Sequence, residues 1–160
     1  MYEEAYLPLQ EGEIGLDEAY SRFEQPIRIF MFRQMERDPS SVALFMRIAG
    51  LGSVQWRSIE VDSNYRMRPE ALQAAIRRDR ADGLHPWLLV ATAGATNTGA
   101  IDPLGSLAGI ARRERLWLHV DAAYGGFFLL TGAGRERLAG IEHADSVVMD
   151  PHKTLFLPYG

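Results

Sequence analysis

Two residues of this 160-residue chain have types and settings that could do chemistry. Lys153 is the only lysine, the other strongly basic residues being arginine. It stands in Val148-Met149-Asp150-Pro151-His152-Lys153-Thr154-Leu155, where a short apolar run gives out. An amine held there, partly desolvated and near other polar or cationic groups, can act as a nucleophile and condense with an aldehyde to an imine. The ordinary alternative is a lysine that merely closes a strand. Asp121 ends the apolar run Leu116-Trp117-Leu118-His119-Val120 and is followed by Ala122-Ala123-Tyr124-Gly125-Gly126. With two alanines beside it, its carboxylate can approach a flat ring without steric obstruction. Against a pyridine nitrogen, that negative charge keeps the nitrogen protonated and makes the ring an electron sink.

An amine for the aldehyde and a carboxylate for the ring nitrogen are together the anchoring chemistry of pyridoxal phosphate. They can serve one ligand only if the fold brings them together. The chain reads as strands over residues 27–32, 54–61, 87–92, 116–120 and 146–149. Helices are expected over residues 42–49, 69–82, 104–115 and 135–139, with a further helical stretch at 16–23. Ser40 or Ser41 can cap the first of these four and Gly50 can stop it, while Pro69 suits the first position of the next. Leu72, Ala75 and Ile76 form that helix's apolar face, and Arg77, Arg78 and Arg80 lie on its wet side, where the dipole favours cations.

From residue 87 the order is strand, helix, strand, helix, strand, and the strands are nearly continuous apolar runs. That pattern implies an α/β fold with a mostly parallel sheet flanked by helices. In such a sheet ligands bind beyond the carboxyl ends of the strands. Thr96 and Asn97 follow the strand at 87–92, Asp121 follows the next, and Asp150, His152 and Lys153 follow the last, so these groups converge on one edge.

Three stretches also carry a family resemblance: His119-Val120-Asp121-Ala122-Ala123-Tyr124-Gly125-Gly126, then Asp150-Pro151-His152-Lys153, and the loop running from Ala91-Thr92-Ala93-Gly94 to Ile101-Asp102-Pro103. Together they resemble the group II pyridoxal-phosphate-dependent amino acid decarboxylases, which include aromatic amino acid, histidine and glutamate decarboxylases. The likeness runs from about Ser40 to Gly160. It divides the chain into a divergent segment, 1–39, and a partial cofactor-binding large domain of fold type I, 40–160.

The resemblance implies a carboxy-lyase that uses pyridoxal 5'-phosphate on an amino acid substrate and works as a homodimer in its full-length form, while the start of the chain, without a basic and apolar leader, makes a cytoplasmic location the default expectation. Lys153 is similar to the Schiff-base lysine and Asp121 to the partner of the pyridine nitrogen. Ala123 resembles the small residue against the ring, Thr96 the threonine in the hydrogen-bond set around cofactor and Asp121, and His152 the histidine beside the lysine near the phosphate.

Two departures accompany it. The family's ring-stacking histidine precedes a Ser-Ser-Val stretch, and here Pro39 precedes Ser40-Ser41-Val42, with no histidine before His85. The family's phosphate-binding segment and C-terminal part are not visible, so the expectation is an internal slice of a decarboxylase. The rival expectation is a truncated, non-catalytic relative that only associates with partners, since a sheet cut at both ends exposes apolar faces and unpaired edges.

Other classes fit less well. His119 and Asp121 alternate on one strand and Asp150 and His152 stand two apart, residue types that suit a transition metal. With lysine, alanines and threonine all in place, no metal is expected, and His119 reads as a buried, hydrogen-bonded histidine. Gly94 to Gly99 has neither dinucleotide nor P-loop spacing and reads as a cofactor-side loop. The net charge of −4, with arginines interleaved among acids, argues against nucleic acid. There is no cysteine for a disulfide or thiolate, and no apolar run approaches the ~18 residues needed to span a membrane.

Overall fold

A computed structural model of the chain describes residues 54–158 and the backbone of residues 27–33. The expected helices at 16–23 and 42–49, and Pro39, lie outside the described residues. In chain order the elements are β1 (Ile27–Arg33), β2 (Gln55–Ile59), α1 (Pro69–Ala81), β3 (His85–Thr92), α2 (Leu104–Glu114), β4 (Trp117–Asp121), a 3-10 turn (Gly126–Leu130), α3 (Gly132–Arg137), a second 3-10 turn (Ile141–His143), β5 (Ser146–Val148) and α4 (Pro151–Thr154).

The five strands form one sheet in the order β2-β1-β3-β4-β5, and every pairing is parallel. The fold is therefore the α/β arrangement expected from the alternation of elements. β1 falls inside the 1–39 segment that the resemblance leaves out, and it pairs between β2 and β3. Both 3-10 turns and the short helix around Lys153 were not foreseen. Segments of three to five residues are too short to show a helical period.

Side-chain alternation decides which face is covered. On β4, Leu118 and Val120 are buried, whereas Trp117 is exposed and His119 and Asp121 are half-buried. Leu118 and Val120 share a core with Leu89 and Ala91 of β3, Leu72 and Ile76 of α1, and Leu104, Leu107 and Ala111 of α2. Each fully buried leucine or isoleucine contributes about 1.5–3 kcal/mol. Trp117, His119 and Asp121 thus look out from the opposite face, and His119 and Asp121 lie in register with Ser146 and Val148 of β5.

α1 begins with proline at its first position and carries Arg78 and Arg80 in its last turn. Arg80 is not simply solvated, because it donates to the Glu114 carboxylate at 2.6 Å and to the Glu114 carbonyl at 2.9 Å, tying α1 to α2. Asp79, on the same helix, is buried and accepts from Arg57 of β2 through Nε at 3.1 Å and through the terminal nitrogen at 3.0 Å. Helix periodicity did not reveal this, since an aspartate on an apolar stripe looks like a break in the pattern until its partner is known.

Candidate active site

Backbone hydrogen bonds draw the ends of β3, β4 and β5 together. Ala93 N–H donates to the Asp121 carbonyl at 2.8 Å, Ala122 N–H to the Val148 carbonyl at 3.0 Å, and Asp150 N–H to the Ala123 carbonyl at 3.2 Å. Two glycines make this closeness possible. A Cβ on Gly125 would lie 2.2 Å from the Ala93 carbonyl oxygen, and one on Gly126 would lie 2.7 Å from Met149 Cγ. The Gly125-Gly126 pair therefore seats the loop after β4 between the loop after β3 and the end of β5.

Asp102 fixes the first of those loops. It is 2% exposed. One carboxylate oxygen accepts from Thr92 N–H at 2.8 Å and the other from Met67 N–H at 2.7 Å. Ala93 bridges Ile101 in antiparallel fashion, and Gly94 and Ala95 both donate to the Ala100 carbonyl. Residues 94–100 thereby form a closed loop rather than a phosphate cradle. Asp102 lay in a quoted motif, but nothing in sequence separated a buried structural carboxylate from a surface one.

Asp121 is half-buried at the end of β4, and its Oδ1 accepts from Ala123 N–H at 3.1 Å. Its Oδ2 takes no hydrogen bond among the described residues. Ala122 is buried and Ala123 half-buried, so the two residues after Asp121 bring only methyl side chains. Lys153 sits on α4, one residue after His152, immediately beyond β5. Its ammonium lies 2.6 Å from Asp150 Oδ2, and His152 Nε2 lies 4.0 Å from the same oxygen. The hydrogen bond from Lys153 is the main reason the Asp150 carboxyl is held below its usual range, with the charges of Lys153 and His152 adding to it. Thr96 is exposed in the turn at the tip of the loop, and no hydrogen bond joins it to Asp121. The strand ends thus gather Asp121, Ala123, His152 and Lys153 on one edge, while Thr96 stands at the loop tip.

His119 is half-buried, and its Nδ1 lies 2.8 Å from Ser146 Oγ, which also accepts from the Trp117 indole at 2.9 Å. Tyr124 is partly exposed in the turn after β4. His85 opens β3 at an exposed position, and His143 is exposed in the second 3-10 turn. Among the described residues no group of three or more histidine, aspartate or glutamate side chains could hold a metal ion.

Residues 38–160 match the family described as the pyridoxal-dependent decarboxylase conserved domain. The chain belongs to this family. An aromatic-L-amino-acid decarboxylase of Bacillus atrophaeus is 41% identical over 119 residues, covering 74% of this chain and 25% of the relative. Cysteine sulfinic acid decarboxylase of Rattus norvegicus is also 41% identical, over 130 residues, covering 81% of this chain and 26% of the relative. The crystal structure of mouse CSAD in apo form superposes with a TM-score of 0.74 at 39% identity, over 84% of this chain and 28% of that one. This pyridoxal-dependent decarboxylase domain thus spans about a quarter of the length of the curated relatives it matches.

The residue types at the strand ends fit the cofactor that gives the family its name. There is one primary amine for an aldehyde, one carboxylate with an oxygen to spare for a ring N–H, and alanines that leave a flat ring room.

Proposed function

We propose that the chain carries the cofactor-holding edge of a pyridoxal 5'-phosphate-dependent amino acid decarboxylase. The observation that carries this reading is the delivery of Asp121 and the Lys153 turn by two adjacent parallel strands of a chain in the decarboxylase family. Lys153 would hold the cofactor aldehyde and Asp121 its ring nitrogen. Ala123 would lie against the ring, His152 would stand near the phosphate, and Thr96 would join the hydrogen-bond set once the loop tip turns inward. When bound, pyridoxal phosphate supplies the sink for the electron pair released as the substrate loses its carboxylate as carbon dioxide.

The chain's own residues have defined tasks in that reaction. Asp121 would keep a proton on the ring nitrogen, because a fixed negative charge disfavours its loss. Lys153 would hold the aldehyde through its amine and would have to free it for the amino group of the substrate. The alanines exclude water from the ring face without occupying its place.

The substrate is an amino acid whose side chain these residues do not select. Relatives named for an aromatic and for an acidic, sulfur-containing substrate are equally identical to this chain, at 41%. The reading also includes the homodimer that the family resemblance implies and a cytoplasmic location. No helix among the described residues is long and apolar enough to cross a membrane.

The test is covalent capture. The purified chain is incubated with pyridoxal phosphate, reduced with borohydride and mapped by mass spectrometry. A pyridoxyl group is expected on the Lys153 peptide, absent in Lys153→Ala and reduced in Asp121→Ala. Absence of the group from Lys153 in the unaltered chain overturns the reading.

A further inference from the structure

We propose that Asp150 is a latch for Lys153, holding the ammonium out of reaction until the cofactor arrives. This rests on the reading of Lys153 as the cofactor amine. The two side chains stand three residues apart on the turn that opens α4, with 2.6 Å between Lys153 Nζ and Asp150 Oδ2.

The geometry sets an order of events. The contact engages the ammonium as a donor to Asp150 Oδ2 and holds the Asp150 carboxyl below its ordinary range. An ammonium has no lone pair, so it cannot add to a carbonyl carbon. For capture, Lys153 must leave Asp150 and lose one proton to the buffer. Its nitrogen then forms a bond to the aldehyde carbon, and the aldehyde oxygen departs as water. Asp150 is thus a positioning residue that acts on the reaction through Lys153.

His152 Nε2 lies 4.0 Å from the same Asp150 oxygen. Asp121 and Tyr124 lie on the end of β4 and the turn that follows it. The 3-10 turn packed against α4, Gly126–Leu130, is Gly-Phe-Phe-Leu-Leu and brings no ionisable side chain. Among the described residues Asp150 is the carboxylate in ion-pair contact with Lys153, with 28% and 37% of the two side chains exposed. An ion pair at the surface is weak enough to open.

Because Lys153 is the only lysine, the latch can be read without cofactor. Acetic anhydride reacts with neutral amines, and peptide mapping separates Lys153 from the chain's amino terminus. At pH 7.5, Lys153 in Asp150→Asn is expected to acetylate about fivefold faster than in the unaltered chain, a solvent-discounted share of what one opposite charge exerts. Asp150→Glu is expected to stay near the unaltered rate, and unchanged circular dichroism checks the fold. The rate of pyridoxyl capture should rise in Asp150→Asn in parallel. Equal acetylation rates in the unaltered chain and Asp150→Asn overturn the latch, whatever the cofactor does. Faster acetylation without pyridoxyl capture in either chain upholds the latch and overturns the cofactor reading instead.

Discussion

The carboxylate of Asp102 accepts a hydrogen bond from the backbone N–H of Thr92 at 2.8 Å, ten residues back along the chain. Its other oxygen takes Met67 N–H, so one side chain joins the end of β3, the start of α2 and the segment leading into α1. The loop that carries Thr96 hangs from this junction.

Asp102→Ala should therefore be costly far beyond its own contacts. It leaves two buried N–H groups without a charged acceptor, and a loss of about 3 kcal/mol is expected in urea unfolding. Asp102→Asn keeps one acceptor oxygen and turns an amide NH₂ toward the other donor, for a loss of about 2 kcal/mol. Equal stability of all three chains would show that these hydrogen bonds do not hold the loop.

Gly125 is required for space rather than for backbone freedom. Its φ is −88°, ordinary for any residue, but an added Cβ would lie 2.2 Å from the Ala93 carbonyl oxygen. Gly125→Ala is expected to cost about 2–3 kcal/mol by forcing the β3 and β4 loops apart. It should also reduce pyridoxyl capture on Lys153. Gly132→Ala is the control, since nothing lies within 4 Å of its added Cβ, and it should be neutral or stabilise by about 0.5 kcal/mol. Matched unfolding midpoints for the two variants would refute the steric account.

Acid should weaken the fold in a defined direction. The Asp62 carboxyl is held below its ordinary value, first by the N–H of Arg66 and then by the Arg66 side chain. Glu142 is lowered by backbone N–H donors, its own and Gly140's, and Asp150 by Lys153. A carboxyl depressed in the folded state contributes stability that is fully present above its unfolded value, near 4, and is lost as pH falls through the depressed value. Thermal midpoints should be nearly level from pH 7 to about 5 and drop below about pH 4. Asp62→Asn should lower the midpoint at pH 7 and flatten part of the acid drop. An undiminished acid drop in that variant would exclude Asp62 as a contributor.

How much of the molecule was legible in the sequence follows from the range of each interaction. Strand and helix order from residue 87 onward was readable because apolar runs and helical periods are local. So was the arrival of Asp121 and Lys153 at one edge, although Asp121 proves to be the last residue of β4 and not the first beyond it. The types of these residues were enough to suggest an amine and an acid for one ring.

Other features depend on what lies across the fold. That Asp79 and Asp102 are buried follows from partners 22 and 35 residues away, Arg57 and Met67, which no window of sequence contains. The need for Gly125 comes from the Ala93 carbonyl on a neighbouring loop, and the exposed position of Thr96 from a turn closed by Gly99 N–H on the Ala95 carbonyl. Sequence by itself determined the chemistry on offer and the edge where it is offered, since both follow from residue type and local period. Only the tertiary structure decided that Lys153 rests on Asp150, because that pairing depends on where the turn after β5 points two flexible side chains.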